Sequence, residues 1–209
     1  MNDGNTETAF PAVDAEGWLA TARRAPSPHA DLRPADTPVS LIVIHGISLP
    51  PGEFGSSWIE DFFCGRLEVS GHPYFRQIAD LRVAPHLLIQ RDGSLVQFVS
   101  CTHRAWHAGV SQWRGRRNCN DFSVGIELEG TDSLPYTDAQ YARLAPVILA
   151  LRARYPDIDD YAVAGHSDIA PGRKTDPGPA FDWERLGTRL RRAGYNFRRE
   201  QPAKQGGEA

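Results

Sequence analysis

The sequence predicts one α/β or α+β domain with a central β-sheet. Short apolar or alternating segments typical of strands recur along the chain, and segments with helical spacing of apolar residues lie between and after them. At 209 residues the chain is long enough to bury one core without disulfides. We therefore expect a single domain at residues 15–195, after a disordered lead-in at 1–14 and before a flexible tail at 196–209.

Five segments have the composition of strands. Residues 40–45 read SLIVIH, a nearly continuous apolar run that suits a buried central strand. Residues 86–90 and 95–99 flank Arg-Asp-Gly, a turn signal that predicts a hairpin. Residues 122–129 read FSVGIELE, in which small or charged positions alternate with apolar ones, and 161–165 form a fifth short strand.

The clearest helix is predicted at 138–154, where apolar residues recur at helical spacing. Thr137 is a good N-cap, and Gln140, three residues later, completes the pattern of a capping box. Pro146 lies inside the segment and is expected to kink the helix, because proline has no backbone N–H.

A second helix is predicted at 183–192, with Asp182 as its N-cap and Gly194 after its end. Shorter helices are expected at 57–63 and 73–81. The segments rich in glycine and proline between these elements are interpreted as ordered loops of the same domain.

Composition excludes several classes of protein. The 26 acidic and 23 basic side chains give a net charge of −3, which argues against a dedicated nucleic-acid-binding protein. The three cysteines, Cys64, Cys101 and Cys119, are widely spaced and predict free thiols rather than a disulfide framework. No apolar run reaches the roughly 18 residues of a membrane span, and no signal peptide is visible, so we expect a cytoplasmic protein without a membrane partner.

The densest group of polar residues is the loop GHSDIAPGRKTDPG, which directly follows a predicted strand. Loops at strand ends often carry the reactive groups of a sheet protein. His45 is the one ionisable residue of SLIVIH and lies at the end of that strand. His45, His166 and Asp176 together suit Zn²⁺ with a fourth position open to water. The alternative, that these are unrelated histidines and a loop aspartate, stays open on spacing alone.

The strand at 122–129 offers a carboxylate to the same site. Period-two alternation places Ser123, Gly125, Glu127 and Glu129 on one face, and Gly125 would leave room for a ligand beside Glu127. Glu127 could act as general base near a metal, unless both glutamates are simply exposed to solvent. Lys174 could supply positive charge, or it could be an ordinary surface lysine.

Two further observations have competing interpretations. Trp106 and His107 stand side by side in RAWHAG and could line a sugar or peptide cleft, or be a core aromatic and a loop histidine. The pair His166 and Asp168 has the H-x-D spacing of non-haem iron oxygenases. Those proteins take their second histidine well downstream, whereas His166 is the last histidine here, so Asp168 is interpreted as a loop hydrogen-bonding residue.

Longer motifs then point to a family. The stretches EGWLATARRAPSPH, ISLPPGEFG, HPYFRQIADLRV, RAWHAGVS, NCNDFSVGIELEGTD, YTDAQY and GHSDIAPGRKTDPGPAFDW extend over residues 16–192. They resemble the zinc amidase and peptidoglycan-recognition superfamily, and within it the cytosolic amidases of bacterial cell-wall recycling. The resemblance implies a central mixed β-sheet flanked by helices, and cleavage of the amide between anhydro-N-acetylmuramic acid and the L-alanine of a muropeptide.

The resemblance also assigns residues. It implies zinc ligands at His45, His166 and Asp176, a catalytic acid/base at Glu127 and a charge-stabilising lysine at Lys174. Three further residues, in stretches that the family uses to line its cleft, are expected to bind substrate: Arg82, Trp106 and His107. The family often has asparagine after its first zinc histidine, where this chain has Gly46, so a contact to substrate is expected to be missing.

We expect a monomeric enzyme whose partner is a small-molecule muropeptide. A non-catalytic binder of peptidoglycan fragments with the same fold is the alternative. Such a binder is expected to lack part of the zinc set, whereas this chain has all of it.

Overall fold

The computed structural model describes residues 11–200. Ten strands lie in this range: β1 (Arg23–Arg24), β2 (Ala30–Leu32), β3 (Leu41–Ile47), β4 (Leu87–Ile89), β5 (Leu95–Gln97), β6 (His103–Ala105), β7 (Gln112–Trp113), β8 (Arg116–Arg117), β9 (Ser123–Glu129) and β10 (Val163–Gly165). Five α-helices accompany them: α1 (Trp58–Phe63), α2 (Phe75–Ile78), α3 (Asp138–Arg154), α4 (His166–Ile169) and α5 (Trp183–Arg192). No helix within the described range is long and apolar enough to cross a membrane.

The central sheet has six strands in the order β1-β5-β4-β9-β3-β10. Strands β4, β9, β3 and β10 run parallel to one another, while β5 is antiparallel to β4. The predicted central mixed sheet is therefore confirmed. The hairpin predicted around Arg-Asp-Gly is the β4–β5 pair.

The two faces of this sheet bury different layers. On one face, Ile44 and Ile126 belong to a core cluster with buried residues of α3 and α5, among them Leu144 and Leu190. Phenylalanines of α1 and α2 pack with β4 and β5 in a separate cluster. Alternation along β9 therefore directs Ile126 into the helical core and leaves Glu127 on the opposite face.

Helix α3 has the predicted bounds. The predicted capping box is also present, in which Thr137 and Gln140 exchange side-chain and backbone hydrogen bonds. The helix continues through Pro146 from Asp138 to Arg154. Helix α5 also has its predicted bounds, with Asp182 accepting from the N–H of Arg185.

Several elements differ from the prediction. Residues 166–169, expected to be loop, form the single-turn helix α4. Five strands of two or three residues were not predicted, because so short a segment carries no periodic pattern and its pairing depends on distant partners: β1, β2, β6, β7 and β8.

The packed part of the chain also extends beyond the predicted limits. Asp14 donates its N–H to the carbonyl of Trp18 at 2.8 Å, inside the expected lead-in. Phe197 is only 4% exposed, and the N–H of Arg198 donates to Asp160, inside the expected tail. The remaining parts of both predicted end segments, 1–10 and 201–209, lie outside the described residues.

Candidate metal centre

Three adjacent parallel strands bring the polar residues of the site together. His45 on β3 pairs in register with Glu127 on β9, so the two side chains lie next to each other on the same face. Strand β10 pairs with β3 on its other edge, with Gly165 opposite Ile44, and His166 follows immediately. The sheet therefore presents Glu127, His45 and His166 side by side near the carboxyl ends of the strands.

The loop after α4 folds back to add Asp176. The N–H of Ser167 donates to the carbonyl of Asp176 at 2.9 Å, and the hydroxyl of Tyr136 donates to the carbonyl of Pro177 at 3.0 Å. One Asp176 oxygen lies 3.2 Å from Nδ1 of His45 and 3.1 Å from Nδ1 of His166. The two Nδ1 atoms are 2.9 Å apart. The loop therefore places Asp176 next to both histidines.

These three side chains have the geometry of a metal site. One ligand atom from each lies within 4.8 Å of the others, and His45 is only 1% exposed. Burial lowers the pKa of His45 to about 4. Burial by itself would raise the pKa of Asp176, but hydrogen bonds with His166 and His45 outweigh it and hold that pKa well below the usual range. A neutral imidazole and an ionised carboxylate are the forms that bind metal ions.

Glu127 stands beside this cluster with an unused oxygen. Its Oε1 lies 4.0 Å from Nδ1 of His45, and its buried Oε2 has no hydrogen-bond partner among the described residues. Burial raises the pKa of Glu127 well above its usual value, and the charge of Asp176 raises it further, whereas Lys174 acts in the opposite direction. An unpaired buried carboxylate with a raised pKa is typical of a functional group.

Glu129, on the same face of β9, has a structural role. It is 1% exposed, and its two oxygens accept from the N–H groups of Gly55 and Arg91 at 2.7 and 3.0 Å, so it ties two loops to β9. The alternative that both glutamates lie exposed to solvent is wrong.

A cleft of about 670 Å³ opens over the cluster. Besides the metal-site residues and Glu127, it is lined by Arg82, Trp106 and Lys174, so the structure brings these predicted site residues into one depression. The ring of Trp106 stacks on His29 with centroids 6.2 Å apart. Arg82 donates to the carbonyls of Ala79 and Leu81 at 2.9 and 3.2 Å.

His107 also lines the cleft, and both of its ring nitrogens contact other side chains of the protein. Its Nδ1 is 2.9 Å from Nε2 of His45, and its Nε2 is 3.1 Å from the hydroxyl of Ser123. Its ring fills the space beside Gly125, where an added Cβ would be 2.5 Å from the ring. The expectation that Gly125 leaves room for a ligand is therefore corrected, since a protein side chain occupies that room.

Sequence reasoning singled out neither Asn120 nor Arg173. Asn120 Oδ1 accepts from the N–H groups of His107 and Ala108 at 3.1 and 2.7 Å. Arg173 donates to the carbonyls of Ala108 and Val110 at 2.6 and 2.7 Å. Both residues could have been predicted from the sequence, because they lie in two of the motifs that carry the family resemblance, NCND and GRKTD.

Asp168 stays out of the metal cluster. Its Oδ2 accepts from the N–H of Gly165 at 2.7 Å, and Arg199 donates to both of its oxygens. Its predicted hydrogen-bonding role is confirmed, although it lies in α4 and not in a loop, and an H-x-D metal pair with His166 is not formed.

The metal-free protein is expected to lose stability as the pH falls from about 7.5 to about 5. Burial lowers the pKa of His45 to about 4 and lowers those of His86 and His107 well below 6.5. Below that value the unfolded chain takes up protons that the folded chain does not, so the free energy of unfolding falls with the pH. Glu127, with its raised pKa, opposes this trend as a single group.

Urea unfolding of chelator-treated protein at the two pH values measures the effect. An unfolding free energy that is the same at both pH values would contradict the prediction.

Fold and site together define a mixed-sheet α/β protein with a His–His–Asp centre at the floor of a cleft, an arrangement suited to metal-dependent hydrolysis. A family model described as N-acetylmuramoyl-L-alanine amidase matches residues 35–179. The chain belongs to this amidase family, and its relatives are named amidases. It is therefore an enzyme of the amidase class. The resemblance inferred from its motifs is confirmed.

Two highly similar relatives belong to one kind of amidase within the family. The 1,6-anhydro-N-acetylmuramyl-L-alanine amidase AmpD of Escherichia coli (strain K12) is 62% identical over 171 residues, covering 82% of this chain and 93% of the relative. A crystal structure of a selenomethionine AmpD derivative superposes with a TM-score of 0.82 at 60% identity, covering 84% of this chain and 97% of the other.

A third relative was solved with substrate. The amidase AmiD from E. coli, in complex with the substrate anhydro-N-acetylmuramic acid-L-Ala-D-gamma-Glu-L-Lys, is 31% identical with a TM-score of 0.55. The similarity covers 85% of this chain and 65% of that one.

Proposed function

We propose that the protein is a zinc-dependent hydrolase that cleaves the amide between (1,6-anhydro-)N-acetylmuramic acid and the L-alanine of the stem peptide during cell-wall muropeptide recycling. The names of its AmpD relatives support this substrate. The single observation that carries the chemistry is the unpaired oxygen of Glu127 beside the His–His–Asp cluster, at the floor of a cleft.

The donor set of the cluster fits zinc. Two imidazole nitrogens and one carboxylate oxygen, from His45, His166 and Asp176, match the three protein ligands of catalytic zinc sites. A pKa of about 4 keeps His45 neutral at pH 7, so one of its ring nitrogens has a lone pair that can bind a metal ion. When bound, zinc supplies a Lewis acid that lowers the pKa of water and polarises an amide carbonyl.

Glu127 is the proposed general base and acid. Amide hydrolysis needs a group that takes a proton from the attacking water and later gives one to the leaving nitrogen. The unpaired Oε2 is free to do both, and the burial that raises the pKa of Glu127 favours the protonated form that the second step needs. Proton transfer of this kind contributes ~10²–10⁴-fold to the rate.

Lys174 is proposed to stabilise the negative charge that develops on the carbonyl oxygen. It lines the cleft, and its charge lowers the pKa values of both Glu127 and His45, so its field reaches the reacting region. A group of this kind contributes about 10²–10³-fold to turnover. Arg82 and Trp106, on the cleft wall, are proposed substrate contacts.

Product analysis by mass spectrometry tests the reaction. The enzyme is incubated with a mixed muropeptide pool, with and without a chelator, and then with zinc added back. We expect release of free stem peptide beginning at L-alanine, loss of that release with chelator, and its return with zinc. Matched muropeptides with and without the anhydro bond test the sugar requirement. Cleavage at another bond, or undiminished release after complete metal removal, would overturn the proposal.

We further propose that the enzyme acts in the cytoplasm as a monomer, as its resemblance to recycling amidases implies. Cell fractionation and light scattering test these two points. A dimer or a membrane-associated fraction would contradict them.

A further inference from the structure

The two histidines of the cluster turn the same ring atom toward Asp176. Both Nδ1 atoms lie within 3.2 Å of one aspartate oxygen, so both Nε2 atoms point away from the cluster. Nε2 of His45 lies 2.9 Å from Nδ1 of His107, and Nε2 of His166 lies 3.1 Å from the carbonyl oxygen of Ala108. Two consecutive residues therefore contact the far side of both ligands.

We propose that His107 is a positioning residue for the metal centre, and that Asn120 holds His107 and Ala108 in place as a support for His45 and His166. This inference rests on the proposed zinc site. His107 is assigned no contact with substrate and acts through His45.

The hydrogen bonds behind His45 have one consistent direction. A His45 ring that uses its Nδ1 lone pair for metal carries hydrogen on Nε2 and donates it to Nδ1 of His107. His107 then carries hydrogen on Nε2 and donates to Ser123 Oγ, 3.1 Å away. The Ser123 hydroxyl donates to the carbonyl of Cys119 at 2.6 Å. This series of hydrogen bonds thus favours the tautomer of His45 in which Nε2 carries the hydrogen and Nδ1 has a lone pair for the metal ion.

Packing leaves His107 little freedom to rotate. Its ring covers Gly125, where a Cβ would overlap it at 2.5 Å. Asn120 Oδ1 accepts from the backbone N–H of both His107 and Ala108, so one side chain fixes the segment that supports both ligands. Arg173 donates to the Ala108 carbonyl at 2.6 Å and holds it toward His166.

Zinc affinity distinguishes this role from simple packing. The variant His107→Phe keeps a ring in the space but removes both nitrogens, and we expect zinc to bind ~10–100-fold more weakly. In His107→Asn, the amide oxygen can replace Nδ1 as acceptor, so we expect recovery of most of the affinity. Competition with a chromogenic zinc chelator measures the dissociation constant without any activity assay.

The control variant is His103→Phe, the same change at an exposed histidine on β6, which is expected to bind zinc like the wild type. Nitrogen NMR of zinc-loaded wild type is expected to show His45 and His107 with hydrogen on Nε2. Wild-type affinity in His107→Phe, or equal weakening in His107→Asn and His107→Phe, would overturn the inference.

Two further results have their own interpretation: failure of the wild type to bind zinc, and failure of His107→Phe to fold. Failure of the wild type itself to bind zinc would contradict the proposed function and not merely the role of His107. If His107→Phe does not fold, Ser123→Ala decides, since it keeps the His107 ring and removes the hydroxyl that accepts its Nε2 hydrogen and donates to the Cys119 carbonyl. We expect a several-fold loss of zinc affinity in that variant, and unchanged affinity would overturn the inference.

Discussion

Glu127→Gln is expected to reduce turnover by ~10²–10⁴-fold while zinc stays bound. Glutamine has nearly the same shape, but its amide cannot take a proton from water at neutral pH. The unpaired Oε2 is therefore the atom whose loss matters, and no hydrogen bond within the described residues depends on it. Because Glu127 is outside the His–His–Asp cluster, the three ligand atoms remain in place.

Peptide release from an anhydro-muropeptide, together with metal analysis of the purified variant, measures both parts of this prediction. Glu184→Gln is the matched control, because the Glu184 side chain is 81% exposed on α5 and is not among the residues lining the cleft. Turnover at the wild-type rate in Glu127→Gln would exclude Glu127 as the base. Loss of zinc from it would show that Glu127 supports the metal instead.

His166→Ala and Asp176→Ala are each expected to lose zinc and reduce activity to background. Each change leaves two protein donors at a site whose three donors now lie within 4.8 Å of one another. Zinc binding also stabilises the folded state, by about 4 kcal/mol when zinc is present at 1,000 times its dissociation constant. The rise in melting temperature on zinc addition should therefore be lost in both variants.

Asp168→Asn provides the control in the same segment of the chain. Asp168 lies two residues after His166, but its carboxylate bonds to Gly165 and Arg199 and is outside the cluster. We expect it to keep zinc and the thermal shift even if it lowers the baseline melting temperature. Full zinc occupancy in His166→Ala or Asp176→Ala would refute the ligand assignment.

Local patterns predicted the long elements well. The capping box at Thr137, the apolar period of α3 and the cap at Asp182 define helix ends through contacts between residues close in sequence. Strands β3 and β9 were predicted because a buried apolar run and a period-two alternation are both local signals. The two-residue strands could not be predicted, since their few residues carry no periodic pattern and, for β1, the pairing partner lies far away in the chain.

Long-range contacts decide the different roles of site residues that look alike in the sequence. Glu127 and Glu129 share one face of β9, yet Glu129 accepts two backbone N–H groups and Glu127 keeps an unpaired oxygen. His107 lines the cleft beside Trp106, as expected, but the contacts of its nitrogens with His45 and Ser123 were not predicted. No spacing rule distinguishes these cases, because the partners come from other loops and strands.

The sequence by itself determined the family, the central sheet, the segment that carries His166 and Asp176, and the face of β9 that carries Glu127. Motif order and period-two alternation are properties of the amino-acid sequence, so they can be recognised without the structure. Only the tertiary structure decided which ring nitrogens face the cluster and that His107 stands behind His45. Those choices depend on the register of parallel strands and on side-chain contacts across 62 residues of sequence, which no local pattern encodes.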